Sequence, residues 1–430
     1  MSPGIPYGKG EIILPSRCPA PFSVIEPGPF PARHGSGLID EALDNPLGSP
    51  PMERFFRRGQ RVVCVIPDIT RRSGVRTWLP LVLERLLDAG VGSRDISVVV
   101  SLGIHRKMSD GELKDHVGAW VWRRFSVKNH DCDDPSGLID LGRTPGGIPL
   151  RLNRKVVEAD TLLLTGSVTY HYFAGYGGGR KAILPGVASR ETCEANHRMV
   201  VSWRRGNLHG DLCPGKLEGN PVHSDMLSAC SMVPPIFSLN VVTDPSNRII
   251  AAAAGGVEAA HIEACRRHDV FYRRRIDSRA DLVIAGVGGW PKDINFVQAH
   301  KGLYSAHRAV KEGGVLVLAA ACPEGGGHPD FFSWFRRCST DEQWLDTLDR
   351  EYQINGQTAY STWKCASANM TILISSLPRE RVIEMGMVPA GGLDEAMKIV
   401  EDHFRGVQGG IPRPLIIPDA SDILVECAHL

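Results

Sequence analysis

The chain concentrates its reactive side chains in a few short stretches, and the densest is His171-Tyr172-Phe173-Ala174-Gly175-Tyr176-Gly177-Gly178-Gly179-Arg180-Lys181, continuing into Ala182-Ile183-Leu184-Pro185-Gly186. Glycine has no Cβ, so Gly177, Gly178 and Gly179 let the backbone pass close to a ligand and turn its amides toward an anion such as phosphate, with Arg180 and Lys181 adding positive charge. A Walker A loop is excluded. That motif needs glycine before the lysine and serine or threonine after it, whereas Arg180 and Ala182 flank Lys181 here. The plainer reading is a flexible loop with two solvated cations.

Two histidines follow apolar runs directly: His105 in Gly103-Ile104-His105-Arg106, and His171 in Val168-Thr169-Tyr170-His171. Histidine exchanges a proton near neutral pH without large perturbation. A pair drawn from separate strands suits a reaction that needs a base on each face of a planar intermediate. Arg71, in Pro67-Asp68-Ile69-Thr70-Arg71, has a planar fork able to hold a carboxylate through two parallel hydrogen bonds, or equally a surface ion pair. His197 ends Ser189-Arg190-Glu191-Thr192-Cys193-Glu194-Ala195-Asn196-His197, where Ser189 can cap a helix that turns His197 inward. One histidine makes no metal site unless a cofactor supplies the other ligands. Further on, Gln298 and Lys301 stand three apart and share a helix face, which is able to reach a substrate carboxylate or carbonyl across an interdomain cleft or, equally, to be no more than a polar helix face.

These residues need a scaffold, and the apolar pattern supplies one. Arg61 to Ile66, Ile96 to Val100 and Thr161 to Thr165 read as buried parallel strands. Between the first two, Leu79, Val82, Leu83, Leu86 and Leu87 follow helical spacing, with Gly90 placed to end the helix. A hairpin is expected from Phe237–Val242 and Ile249–Ala254 around Asp244, Pro245, Ser246 and Asn247. From Ala280 the pattern restarts with a strand at Leu282–Ala285, a helix beginning near Phe296 and a strand at Val315–Ala319. The expected fold class is therefore α/β: two α/β domains with mainly parallel sheets, residues 1–278 and 279–430, with the active site in the cleft between them. The proline-rich first fifty residues read as an irregular wrapping segment.

Composition narrows the partners. Apolar residues make up 43% and charged residues 23%, and a net charge of +1 gives no reason to expect nucleic acid or membrane. The eleven cysteines are scattered singly, with no CxxC pair, which points to reduced thiols rather than a disulfide framework or a thiolate zinc site. Neither a signal peptide nor an apolar run near the roughly 20 residues of a membrane span is apparent, so a cytoplasmic protein with a small-molecule ligand is expected.

From about Pro67 to Gly314, the order Asp-Ile-Thr-Arg, Gly-Ile-His-Arg, His-Tyr-Phe-Ala-Gly with Gly-Gly-Arg-Lys, Ala-Asn-His, and Asp-Ile-Asn with Gln and Lys resembles the lactate racemase family. The resemblance implies a nickel-pincer nucleotide, pyridinium-3-thioamide-5-thiocarboxylic acid mononucleotide, joined to Lys181 through a thioamide and installed by maturation enzymes that bind transiently. It makes His197 the protein ligand of Ni(II), the pincer supplying three of four planar positions. It assigns Asp68, Thr70, Gly177, Gly178, Gly179 and Arg180 to the cofactor and Arg71, Gln298, Lys301 and Trp363 to a small 2-hydroxy acid. His105 and His171 become the acid–base pair of a racemisation by hydride transfer through a 2-keto acid; the residues alone equally permit abstraction of the carbon-bound proton. Two departures leave the substrate open. Val297 stands where tyrosine is expected in lactate-specific members, and Thr169-Tyr170 replaces another pair, so a larger acid such as malate, hydroxyglutarate, phenyllactate or a sugar acid is admissible. Two other classes share these residues: a Lys181 Schiff-base or pyridoxal phosphate enzyme, and a non-catalytic nucleotide or hydroxy-acid binding protein.

Overall fold

In the computed structural model, which describes residues 4–15, 18–19, 21–206, 212–405 and 410–428, the chain divides into two units. One comprises Pro29–Val200 and His209–Phe271, the other Met1–Gly28, Val201–Leu208 and Tyr272–Leu430. Each contains a six-stranded sheet.

In the first unit the strands that position the site are β1 (Val62–Pro67), β2 (Ile96–Ser101), β3 (Ser126–Asn129), β4 (Thr161–Ser167), the two-residue pair β5 (Tyr170–His171) and β6 (Gly175–Tyr176), then β7 (Ile236–Thr243) and β8 (Ile249–Gly255); Leu138–Arg143 and Pro149–Asn153 form a separate antiparallel pair. The large sheet runs β8-β7-β4-β1-β2-β3, antiparallel only between β7 and β8. Every residue of β1 and β4 is buried. Strands covered on both faces lose the in–out alternation, which is why they read as continuous apolar runs. Helix α1 (Val75–Asp88) lays Trp78, Leu79, Val82, Leu83 and Leu86 against Val62, Cys64 and Ile66. Each side chain of that size taken out of water contributes about 1.5–3 kcal/mol. The expected hairpin is present as β7 and β8, with Asn247 left-handed at its turn.

Strand order decides where the chemistry can sit. The chain runs outward from β1 to β2 and β3, then returns to place β4 on the other side of β1. At such a reversal the connections leaving neighbouring strands part, and a crevice opens beyond their carboxyl ends. Three further helices complete the surroundings: α2 (Arg190–Gly206), α3 (Pro221–Ser231) and α4 (Val257–Tyr272).

The second unit has an all-parallel sheet of β9 (Ala280–Gly286), β10 (Val310–Ala319), β11 (Met370–Ile374), β12 (Val388–Ala390) and β13 (Leu415–Ile417), with Ser23–Val24 on its edge in the order β12-β11-β10-β9-β13-(23–24). Helices α5 (Phe296–His307), α6 (Asp341–Arg350) and α7 (Ile354–Ala368) belong to it. The protein is thus α/β with mainly parallel sheets. The described residues among the first fifty carry more regular structure than the composition suggests: Gly4–Tyr7 and Gly10–Ile13 pair antiparallel, and Ser36–Asp44 is helical. Elements that short carry too few positions for an apolar period to show. Among the described residues no helix is long and apolar enough to cross a membrane.

Candidate functional site

Beyond Pro67 the chain turns on the Asp68 carboxylate, whose Oδ1 accepts the Thr70 amide at 2.7 Å and the Thr70 hydroxyl. Its Oδ2 lies 2.9 Å from His105 Nδ1, in the loop that follows β2. Asp68 is only 3% exposed. Burial alone would raise its pKa, but His105 by charge and hydrogen bond, then Arg71 and Thr70, outweigh burial and hold the carboxyl well below the usual range. The carboxylate is ionised near neutrality, so His105 Nδ1 is the donor and the neutral ring keeps a lone pair on Nε2. With 31% of its side chain exposed, His105 is open to a solute. Arg71, half-buried, donates its backbone amide to the Asp68 carbonyl at 3.1 Å.

His171 lies in β5, paired with Gly175 of β6. The Ala174 amide donates to its Nδ1 at 3.2 Å, so a proton on the neutral ring sits at Nε2. Phe173 is the hub of the next cluster: the His171 ring meets it edge-on at 4.5 Å, the His197 ring at 5.0 Å, and Lys181 Nζ lies 5.9 Å from its centroid. His197 comes from α2, where Ser189 Oγ accepts the Thr192 amide at 3.2 Å, the cap expected from sequence. The preceding Asn196 donates to Asp225 Oδ2 at 2.8 Å, and the Thr144 hydroxyl donates to the other oxygen of Asp225, which fixes the helix rotation that aims His197. His197 is buried, and its Nδ1 has no hydrogen-bond partner among the described residues. Burial first, and the Lys181 cation second, push its pKa down to about 3, so the imidazole is neutral. Lys181 Nζ is itself buried.

The two clusters are joined through the backbone. Gly103, two residues before His105, donates its amide to Gly186 at 2.9 Å, and Gly186 donates to Lys181 at 2.9 Å. Among the described residues no three His, Cys, Asp or Glu side chains gather to hold a metal.

The glycine run works differently from the anion cradle its composition suggests. The Gly177 amide donates to Thr169 O at 2.8 Å and the Gly179 amide to Asn240 Oδ1 at 2.7 Å, so both are occupied inside the protein. A Cβ on Gly179, which is left-handed, would fall 2.8 Å from the His261 ring, and one on Gly166 of β4 would fall 2.6 Å from Gly178 Cα. These glycines are required by packing of the turn against its own sheet and α4. Arg180 is likewise turned inward and is 1% exposed. It donates to the carbonyls of Ala174 at 2.7 Å and Tyr176 at 2.9 Å, and its Nη1 lies 2.8 Å from His261 Nε2. It braces the turn rather than presenting a cation to a phosphate.

In the second unit Asn295 caps α5 by accepting the Gln298 amide at 3.1 Å, and Lys301 Nζ donates to Gln298 Oε1 at 2.8 Å, so the two expected residues do share one face. Trp363 instead stacks on Tyr360 and packs against Trp344 of α6, with ring centroids 6.3 and 6.0 Å away. An aromatic side chain is as well suited to a packed cluster as to a pocket wall. Sequence reasoning missed Asp225, Asn240, His261 and Asp269. The last two, with Cys265 and His268, recur at helical spacing along α4, a polar stripe that could have marked a buried polar contact.

Ionisable side chains gathered beyond the carboxyl ends of a parallel sheet mark an α/β enzyme. Comparison with known proteins then says which: the lactate racemase N-terminal domain family matches residues 7–207 and the lactate racemase C-terminal domain family residues 276–425. The lactate racemase of Thermoanaerobacterium thermosaccharolyticum is 30% identical over 433 residues, 98% of each chain, and that of Lactiplantibacillus plantarum is 30% identical over 397 residues, 90% of each. The solved structure of the lactate racemase apoprotein from Thermoanaerobacterium thermosaccharolyticum superposes with a TM-score of 0.86 at 30% identity, covering 99% of this chain and 100% of that one. A Thermotoga maritima protein, at 19% identity and a TM-score of 0.67 over 88% of this chain and 99% of its own, shares the fold. The chain belongs to the lactate racemase family and so stands among the isomerases.

Proposed function

We propose that the protein racemises or epimerises a small 2-hydroxy acid, lactate or a larger relative, using a nickel-pincer nucleotide joined to Lys181. The observation that carries this reading is the meeting of Lys181 and His197 on Phe173. A buried amine and a buried neutral imidazole with an unbonded nitrogen share one aromatic ring. Metal ligation needs an unprotonated imidazole, and the environment of His197 enforces one. With no second protein donor gathered there among the described residues, the remaining ligands fall to a bound group, and soft donors in a plane suit Ni(II).

When bound, that group supplies a reversible hydride acceptor for the carbinol carbon. The chain's own residues handle the proton and hold the substrate. His105, its tautomer set by Asp68, takes the hydroxyl proton at Nε2, and His171 serves the opposite enantiomer, a role in which its Nδ1 exchanges the Ala174 hydrogen bond for a proton so that Nε2 is free to accept one. Arg71 receives the carboxylate, with Gln298 and Lys301 as further substrate contacts. Val297, smaller than an aromatic residue, fits a substrate longer than lactate. The eleven free thiols suit a cytoplasmic setting.

The test is the full chain co-expressed with nickel and the cofactor-maturation enzymes. Intact mass and peptide mapping should show an adduct at Lys181 with stoichiometric nickel, and the loaded protein should interconvert the enantiomers of at least one 2-hydroxy acid. An unmodified, nickel-free chain under conditions that load a known member refutes the proposal.

A further inference from the structure

We infer that Asp269 is a positioning residue for His171, acting through the hydroxyls of Tyr170 and Tyr176. The inference rests on the proposed proton-exchange role of His171. Strands β5 and β6 have two residues each and pair only as Tyr170 with Tyr176 and His171 with Gly175. An isolated two-stranded hairpin is marginal in water even when far longer, so something outside must hold this one. Consecutive strand residues point to opposite faces. His171 therefore turns one way, while Tyr170 and its register partner Tyr176 turn the other, onto α4.

There one carboxylate takes both. The Tyr170 hydroxyl donates to Asp269 Oδ1 at 2.8 Å, and the Tyr176 hydroxyl lies 2.8 Å from each Asp269 oxygen. The two tyrosine rings are 5.4 Å apart, and His268 meets Tyr170 edge-on at 4.7 Å. Hydrogen bonds to an ionised acceptor are about twice as strong as neutral ones, so Asp269 ties the strand that carries His171 to its neighbour. Two turns earlier on the same helix face, His261 Nε2 lies 2.9 Å from Gly177 O, at the glycine turn that leads to Lys181. The helix thus grips the hairpin at one end and the turn at the other. Loss of the Asp269 grip should disturb His171 and leave the Lys181 end in place.

The experiment uses Asp269→Asn and, separately, Tyr176→Phe in the full chain. In the cofactor-free protein, amide hydrogen exchange over residues 171–176 should quicken and the NMR titration of the His171 ring should move. In the matured protein, kcat should fall on the order of 10- to 100-fold with KM within about threefold, because a small misplacement of a reacting group is that costly. Nickel content and the Lys181 adduct should stay at wild-type levels. Wild-type exchange and His171 titration in both variants would overturn the inference. So would nickel and adduct falling in step with kcat, which would put Asp269 at the other end of the turn. If His171→Ala keeps the wild-type rate, the proton-exchange role falls instead, and the cofactor-free readouts still decide what Asp269 does to the hairpin.

Discussion

Replacing Asp68 by asparagine tests how the base is prepared. Its Oδ1 must remain an acceptor, since the Thr70 amide points at it from 2.7 Å. The new amide nitrogen then takes the place of Oδ2, 2.9 Å from His105 Nδ1, and donates where the carboxylate accepted. His105 answers by moving its proton to Nε2, so the nitrogen proposed to receive the substrate proton no longer has a lone pair. Loss of a correctly held tautomer, as opposed to loss of the residue, costs about 10²- to 10⁴-fold in rate, or ~3–5 kcal/mol of barrier. The assay is initial racemisation followed by chiral separation, with nickel and adduct measured on the same preparation. A kcat close to wild type refutes the tautomer argument. A loss of rate matched by loss of nickel would return Asp68 to the cofactor-holding role that the family resemblance implies.

Three other outcomes are expected. His197→Ala should keep the Lys181 adduct in peptide mapping while nickel content falls by about tenfold or more; retained nickel removes His197 as the ligand. Arg180→Met takes the buried guanidinium donor from the carbonyl of Tyr176 and one of two donors from that of Ala174, and should cost about 1–3 kcal/mol in urea unfolding, whereas a loss below about 0.5 kcal/mol would contradict its bracing role. Burial, and then the Arg180 cation, push His223 from 6.5 down to about 4. The folded state therefore binds fewer protons than the unfolded chain: the stability this group contributes is complete above about 6.5 and is lost as pH falls toward 4, so His223→Gln should flatten that decline in thermal midpoint, and an unchanged slope counts against it.

Much of the framework was legible because it is local. The strands at 62–67 and 161–167 are buried along their whole length and 96–101 nearly so, and mostly apolar runs without in–out alternation state as much. Residue types placed directly after those runs pointed to His105, His171 and Arg71 for the same reason. The Asp68–His105 bond was not legible, since it joins residues 37 positions apart and depends on β1 lying beside β2. The glycine run misled because a residue without a Cβ serves close approach to a ligand and close approach to protein equally well; only the neighbours, His261 and Gly166, tell them apart. Arg180 misled similarly, its cation being satisfied by carbonyls that leave no mark on composition. Trp363 came from the family resemblance, and its aromatic stack with Tyr360 and Trp344, which involves a second helix, leaves no mark on the local pattern.

The reversal of strand order around β1 has a consequence for how activity is acquired. Asp68 and His105 face each other only because β1 and β2 are in register, and His171 follows β4, which pairs with β1 on its other edge. No short fragment contains the arrangement, whose parts are spread from Asp68 to His171, and a one-residue slip of β4 would turn its side chains to the opposite face. Catalytic competence is then a late, all-or-none product of assembling non-local strands, the slow kind of contact to form. Racemase activity in such a protein doubles as a reporter of a correctly registered sheet, and substitutions deep in β1 or β4, far from any substrate, will register as losses of activity.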